Sequence, residues 1–379
     1  MRYQTTVFGQ LLKVISRPRF ERLAKKHAVG RRKRELSEWA HFVAMVFAHT
    51  GGTRSLRDME RYLERHPGAK AHLDLGAVRR STLADANRTR SAALFEEMAK
   101  ILSGQASRGR GVRETVRLID ATRIMAGRRV AQWSCEGGIK LHLVYAPDSD
   151  RPVWFAVTPE RINDITAARS LPIEPGATYV FDKGYYDFAF WARLQAQGCR
   201  FVTRLKRNSP VSIIAERPVP EGGEIRFDRV VRLSERLAAQ RRNPLSSELR
   251  CIGVRISSGR DLVLLSNDLV SPAEAVADLY KQRWQVELFF KWLKQNLKIA
   301  HFLGTSRNAV TIQIMAALIA YLLMRIAQLR AKTHLRLQAT ARLIQPHILT
   351  RRCLSELLLP PKPPPKSLQP QLTLALSHA

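Results

Sequence analysis

Apolar residues recur at three- and four-residue spacing from Leu11 to about Leu102, as in HFVAMVFAH and LFEEMAKIL, and this period predicts helices. Thr50-Gly51-Gly52-Thr53 breaks the pattern, and SLRDMERYLERH after it has the start of a capped helix. A second basic helical stretch follows Ser81 in STLADANRTR. After the loop SGQASRGRG the period shortens to that of strands: ETVRLIDATRI, GIKLHLVYAP and RPVWFAVTPE, separated by Gly-Gly and Pro-Asp turn signals. Three such strands in a row predict an antiparallel meander.

Helical DITAARSL, strand ATYVFDKGYYD, helical FAFWARLQAQG and strand RFVTRLK follow, an alternation that favours crossovers and parallel pairing. Meander followed by alternation is the chain order of an RNase H-like sheet, so an α/β fold is expected. From about Asn208 to Asp268 the sequence changes to short polar and apolar alternations ending in DLVLLSN, which predicts an inserted β-rich segment. Pro272 opens a helix with Ser271 as the candidate cap. The apolar stretch Val310 to Leu329 nearly reaches membrane-spanning length. It carries Gln313, Arg325 and Gln328, so a buried core helix is the expectation. The Pro-rich run LLLPPKPPPKSLQPQ is expected to be extended.

Charge narrows the partner. Lys and Arg number 63 against 32 Asp and Glu, a formal net charge of +31 over 379 residues. Self-repulsion of that size is tolerated most easily beside a polyanion, and nucleic acid is the commonest one. The block KKHAVGRRKR (Lys25 to Arg34) and the helical pattern around it point to a DNA-binding helical region. Cys135, Cys199, Cys251 and Cys353 form no C-x-x-C pair, so neither a disulfide framework nor a zinc ribbon is indicated. The N-terminus lacks an uninterrupted hydrophobic stretch of secretory type, and a cytoplasmic location is expected, with no membrane partner.

The chemistry concentrates in three places. A helix over Glu274 to about Ile299 would carry Tyr280, Arg283, Glu287, Lys291 and Lys294 within an arc of about 80°. Val286, Phe289, Trp292 and Leu293 would fall on the opposite, packing side. A solvated charged face gives the same periodicity, but Glu287 is the only acid from Leu279 to Lys294. Asp120 lies in the apolar strand VRLIDATRI, where propensity disfavours an aspartate. Asp182 ends the strand of TYVFDKGYYD, before a Gly that permits a tight turn. Two strand acids and one helix acid can converge on divalent cations, which take carboxylate oxygens and act in pairs on a phosphodiester. Other residues have ordinary roles: Asp187 as a helix N-cap, His142 as a neutral strand residue, Trp284 and Trp292 as packing residues.

The spacing Tyr280, Arg283, Glu287, Lys294 matches the Y-R-E-K signature, and the chain resembles DDE transposases of the bacterial insertion-sequence type that carry it. FDKGYYDF is similar to the family's second-acid motif through Asp182, Gly184 and Tyr185, and LIDATRI to its first-acid strand through Asp120. The acids are 62 and 105 residues apart, leaving room for a β insertion before the catalytic helix. The resemblance implies Mg²⁺ (with Mn²⁺ as a substitute) held by Asp120, Asp182 and Glu287. It also implies cleavage at the element's ends, attack of the freed 3′-hydroxyl on target DNA, and a dimer on DNA. Tyr280, Arg283, Lys294 and Arg204 would grip the DNA backbone, with Lys291 on the same stripe. Some relatives stack a flipped base on a Trp in the insertion, but this chain has no Trp between Asn208 and Arg283. The implied organisation is a helical DNA-binding region over 1–110, an RNase H-like catalytic part over 111–207 and a β insertion over 208–270. The second catalytic part then spans 271–349, and a Pro-rich tail 350–379. A structure-selective nuclease of the same fold and a non-enzymatic DNA-binding regulator remain alternatives at this level.

Overall fold

A computed structural model of the chain describes residues 5–29, 35–51, 53, 55–107, 115–125, 138–235, 242–256, 259–296 and 302–359. Residues 30–34 of the basic block, Cys135 and the Pro-rich run from 360 onward lie outside the described residues. The chain begins with helices α1 (Val7–Leu12), α2 (Arg17–Lys26), α3 (Glu38–Thr50), α4 (Leu56–Glu64), α5 (Pro67–His72), α6 (Arg80–Thr89) and α7 (Ala93–Ser107). Local chemistry sets their starts. Ser37 and Ser55 accept the N–H groups of Ala40 and Asp58, each at 3.0 Å, satisfying donors that a first turn leaves unpaired.

Strands β1 (Val116–Met125), β2 (Gly138–Ala146) and β3 (Arg151–Pro159) form the expected antiparallel meander. Then follow α8 (Asp164–Ala168), β4 (Thr178–Phe181), a 3₁₀ turn (Lys183–Tyr185), α9 (Phe188–Ala196) and β5 (Arg200–Arg204). β1, β4 and β5 pair in parallel through the crossovers. The polar-apolar alternations become β6 (Val211–Arg217), β7 (Ile225–Leu233), β8 (Leu249–Arg255) and β9 (Asp261–Ser266). β9 pairs antiparallel with β5, so these strands extend the same sheet rather than forming a separate one. Among the described residues the order is β3-β2-β1-β4-β5-β9-β8-β7-β6.

α10 (Ala273–Gln282), α11 (Trp284–Asn296), α12 (Arg307–Ala331), α13 (Leu337–Ile344) and α14 (Leu354–Leu358) complete the chain. α12 is long and apolar enough to cross a membrane by length and composition, and its most apolar window is wholly buried inside the protein. It is the core helix expected for Val310 to Leu329, packed by α3, α6 and α7 on the N-terminal side and by α11 on the other. Its polar residues are paired: Gln313 accepts the Leu303 N–H at 2.7 Å, and Gln328 donates to the Leu335 carbonyl at 2.9 Å. Arg325 donates to the Ser149 carbonyl at 3.2 Å. The N-terminal helices and the sheet thus share one apolar core around α12.

Two local expectations change. The single helix over Glu274 to Ile299 is two helices that meet at Arg283, where the N–H of Arg283 bonds the Tyr280 carbonyl and that of Val286 bonds the Arg283 carbonyl. Those i to i+3 bonds tighten the chain into a 3₁₀-like joint. Ser271 does not cap α10: Pro272 is the capping residue. The Ser271 hydroxyl instead donates to Asp268 Oδ2 at 2.6 Å, because Asp268 gathers the N–H groups of Val270 and Ser271 into its own turn.

Candidate active site beyond the end of a parallel ladder

The parallel ladder between β1 and β4 ends with Ile119 opposite Phe181. Asp120 and Asp182 each follow by one residue, so they leave neighbouring strands at the same level. Asp182 then turns sharply. Its Oδ1 accepts the Gly184 N–H at 2.7 Å, and a Cβ on Gly184 would lie 2.8 Å from that oxygen, so any larger residue there would push the Asp182 carboxylate aside. Asp120 Oδ1 accepts the N–H of Ala121 at 2.8 Å.

α11 lies across β1 and supplies the third acid. Val286, Phe289 and Leu293 are buried as the helical period requires, and Phe290 joins them. Phe289 meets Tyr145 at 5.3 Å between ring centroids, and Trp292 meets Tyr321 at 5.3 Å, edge on. Glu287 projects from the other side. Arg283 Nη1 is 2.6 Å from Glu287 Oε1 and 3.6 Å from Asp120 Oδ2, so one guanidinium bridges the two carboxylates. Burial pushes the Asp120 carboxyl up to about 7; the Ala121 N–H and Arg283 oppose the rise, while Asp182 and Glu287 add to it.

Asp120 and Glu287 line a cleft of about 570 Å³ with Thr122, Lys291 and Lys294. Burial lowers the pKa of Lys294. Asp182 and Arg204 line a second cavity of about 770 Å³ with Lys183, Lys206 and Arg207. Tyr280 feels both groups: burial raises its pKa, Arg283 and Arg204 oppose that, and Asp182 reinforces it. The sequence-predicted residues therefore divide into two adjoining sets, with Tyr280 and Arg283 between them. Among the described residues no three His, Cys, Asp or Glu side chains come close enough together to hold a metal ion. The chemistry of the donor set still fits a hard divalent cation. It is all carboxylate, and two of its members already share a positive group.

The ordinary readings divide as well. Asp187 caps α9 by accepting the Phe190 N–H at 2.7 Å. His142 is buried in β2, 2.8 Å from Thr158 Oγ1, and burial lowers its pKa to about 4, so it is neutral. Trp292 packs as expected, but Trp284 is 57% exposed on the first turn of α11, on the same face as the half-exposed Leu288 one turn on and away from the buried Val286, Phe289 and Leu293. Sequence reasoning missed a group under the Asp182 turn: Lys140 Nζ bonds Asp164 Oδ1 at 2.9 Å, and Asp164 Oδ2 would lie 3.4 Å from a Cβ on Gly184. The buried Tyr185 hydroxyl faces the same carboxylates without a hydrogen-bond partner. Asp164 is an acid in the first turn of α8, and only the packing of α8 on the 3₁₀ turn reveals its position. Lys183, Lys206 and Arg207 were hidden in the general basic excess.

Residues 112–323 match the family described as Transposase DDE domain, and residues 3–74 match a domain of unknown function, DUF4372. A Sinorhizobium fredii protein named as transposase y4zB is 42% identical over 250 residues, spanning 65% of this chain and 70% of its own length. A Geobacillus stearothermophilus protein named as transposase for insertion sequence element IS5377 is 29% identical over 216 residues, 55% of this chain and 56% of its own. The transposase for insertion sequence element IS231B of Bacillus thuringiensis subsp. berliner is 24% identical over 264 residues, 55% of each chain. Among solved structures, a piggyBac transposase synaptic complex with hairpin DNA aligns with a TM-score of 0.46 at 10% identity, over 91% of this chain and 76% of that one.

Proposed function

Because the chain belongs to the DDE transposases of bacterial insertion sequences, enzymes that act on DNA, we propose that it binds the ends of its own element, cleaves them, and joins the freed 3′-hydroxyls to target DNA. Asp120, Asp182 and Glu287 are the acids of its site. The observation that carries this reading is the pairing of Asp120 with Glu287 through Arg283, beside an Asp182 that follows the end of the neighbouring parallel strand. Two acids sit one residue past a parallel ladder, and the third is bridged to the first by Arg283. An RNase H-like core is supported by the order β3-β2-β1-β4-β5, antiparallel in the meander and parallel from β1 to β5.

The three carboxylates would hold divalent ions, Mg²⁺ or Mn²⁺, which when bound activate the attacking oxygen and stabilise the leaving oxygen of a phosphodiester. Tyr280, Arg283 and Lys294 take the Y-R-E-K roles. The two positive residues and Lys291 hold the backbone phosphates of the element end beside the acids, Arg through a planar fork and Lys as a point charge. Arg204 does the same from the cavity that Asp182 lines. The helices before residue 110 bind DNA through their basic exposed face, and residues 208–270 form an insertion between the two catalytic parts. The enzyme works as a homodimer on DNA at the bacterial nucleoid, by cut-and-paste transfer in which each freed 3′-oxygen replaces a 3′-oxygen of the target backbone.

The test is an in vitro reaction with full-length protein, Mg²⁺, a linear DNA carrying the element's terminal inverted repeats and a circular target. The expected result is 3′-hydroxyl ends at the repeat boundaries and joined products on the target. Cleavage without joining would favour a nuclease, and binding without either would favour a regulator.

A further inference from the structure

We propose that Arg283 is a stand-in cation: its guanidinium holds Asp120 and Glu287 together while no divalent ion is bound, and it must withdraw when one binds between them. The inference rests on the three-acid site proposed above and assigns Arg283 a second, earlier task than gripping DNA.

Nη1 of Arg283 lies 2.6 Å from Glu287 Oε1 and 3.6 Å from Asp120 Oδ2, the position a shared cation would compete for. All three side chains are mostly shielded from water, with 17% of Arg283 and 18% of Asp120 exposed, so the attraction is only weakly screened. Without a positive group, two partly buried carboxylates facing one cleft would repel each other and hold the site open. Arg283 supplies that charge locally, whereas Lys291 and Lys294 line the cleft without an ion pair to either acid among the contacts observed.

The arrangement is also built to be left. The buried Nε of Arg283 has no hydrogen-bond partner, and both contacts to the acids run through the single nitrogen Nη1. Its carbon is 5.7 Å from the centre of the Tyr280 ring, a second resting surface on the side of the Asp182 cavity. Its backbone forms the joint between α10 and α11, where regular helix bonding is interrupted. A guanidinium displaced from the carboxylates is free for a phosphate oxygen, so metal binding and DNA binding should favour each other through this one residue.

Mn²⁺ binding to the full-length, DNA-free protein tests this, read as loss of the free-ion signal in electron paramagnetic resonance for the wild type, Arg283→Gln, Arg283→Lys and Glu287→Gln. Removing the competing charge in Arg283→Gln should tighten Mn²⁺ by about tenfold, and Arg283→Lys should stay near the wild type. The thermal midpoint of Arg283→Gln should fall in the absence of metal and return to the wild-type value at saturating Mn²⁺, which a merely structural loss would not do. Unchanged or weaker Mn²⁺ binding in Arg283→Gln, with binding still lost in Glu287→Gln, overturns the stand-in role and leaves the acid site standing. No Mn²⁺ binding by the wild type or by Arg283→Gln overturns both.

Discussion

At the scale of single residues, burial separates two tryptophans that helical geometry already sets about 80° apart. Trp284 and Trp292 are eight positions apart on one helix, and Trp284 is mostly exposed while Trp292 packs on Tyr321. Trp284→Ala should therefore change unfolding free energy by no more than about 0.5 kcal/mol. Trp292→Ala should cost about 3 kcal/mol, and urea denaturation of the two variants checks both values. His142 gives a pH signature. Its ordinary pKa of 6.5 is lowered to about 4 by burial, so between those values the unfolded chain takes up a proton that the folded protein refuses. Stability should fall as pH drops through that window, by at most about 1.4 kcal/mol per unit from this group. Urea midpoints measured from pH 7 to pH 4 should show a shallower fall in His142→Gln; an identical slope would mean that His142 titrates normally. The candidate acids were legible in the sequence because an aspartate within an apolar strand and a lone glutamate among cations contradict local propensity. Asp164 and Lys140 were not, because nothing in their own segments is unusual and only tertiary packing brings them under the Asp182 turn.

At the scale of elements, the strands and the core helix followed from period and length, whereas the break at Arg283 did not. Residues on both sides of Arg283 favour helix, and the joint arises where α10 and α11 must pack on different strands of one twisted sheet. A buried ion pair anchors the near end of α10. Arg250 on β8 bonds both carboxylate oxygens of Asp228 on β7, at 2.8 and 2.6 Å, and also donates to the Ser271 carbonyl just before α10. Removing one partner leaves the other charge buried and unpaired, so Arg250→Ala should cost about 3–5 kcal/mol, measurable by chemical denaturation. A loss below about 1 kcal/mol would mean that water reaches the pair. In α12, Leu322 is fully buried, and Leu322→Ala should cost about 2–5 kcal/mol in the same assay.

At the scale of the whole molecule, a net charge of +31 points to a polyanion but not to a reaction; the fold shows where part of that charge sits. Lys291 and Lys294 line the cleft of Asp120 and Glu287, while Lys183, Arg204, Lys206 and Arg207 line the cavity of Asp182. Binding to element-end DNA should therefore weaken steeply with salt, with a log-log slope near −0.9 for each phosphate neutralised, and Lys294→Ala should reduce the slope by about one. The continuity of the insertion with the main sheet was not legible, because strand partners across more than 60 residues leave no trace in local alternation. The most direct measurement of the central claim is the single-turnover rate of end cleavage in Mg²⁺ at saturating enzyme, for the wild type, Asp120→Asn, Asp182→Asn and Glu287→Gln. Each variant should bind the end DNA as the wild type does and cleave at least about a thousandfold more slowly, a loss of about 4 kcal/mol of transition-state stabilisation. Cleavage at the wild-type rate by any folded one of the three would contradict the site assigned to this chain.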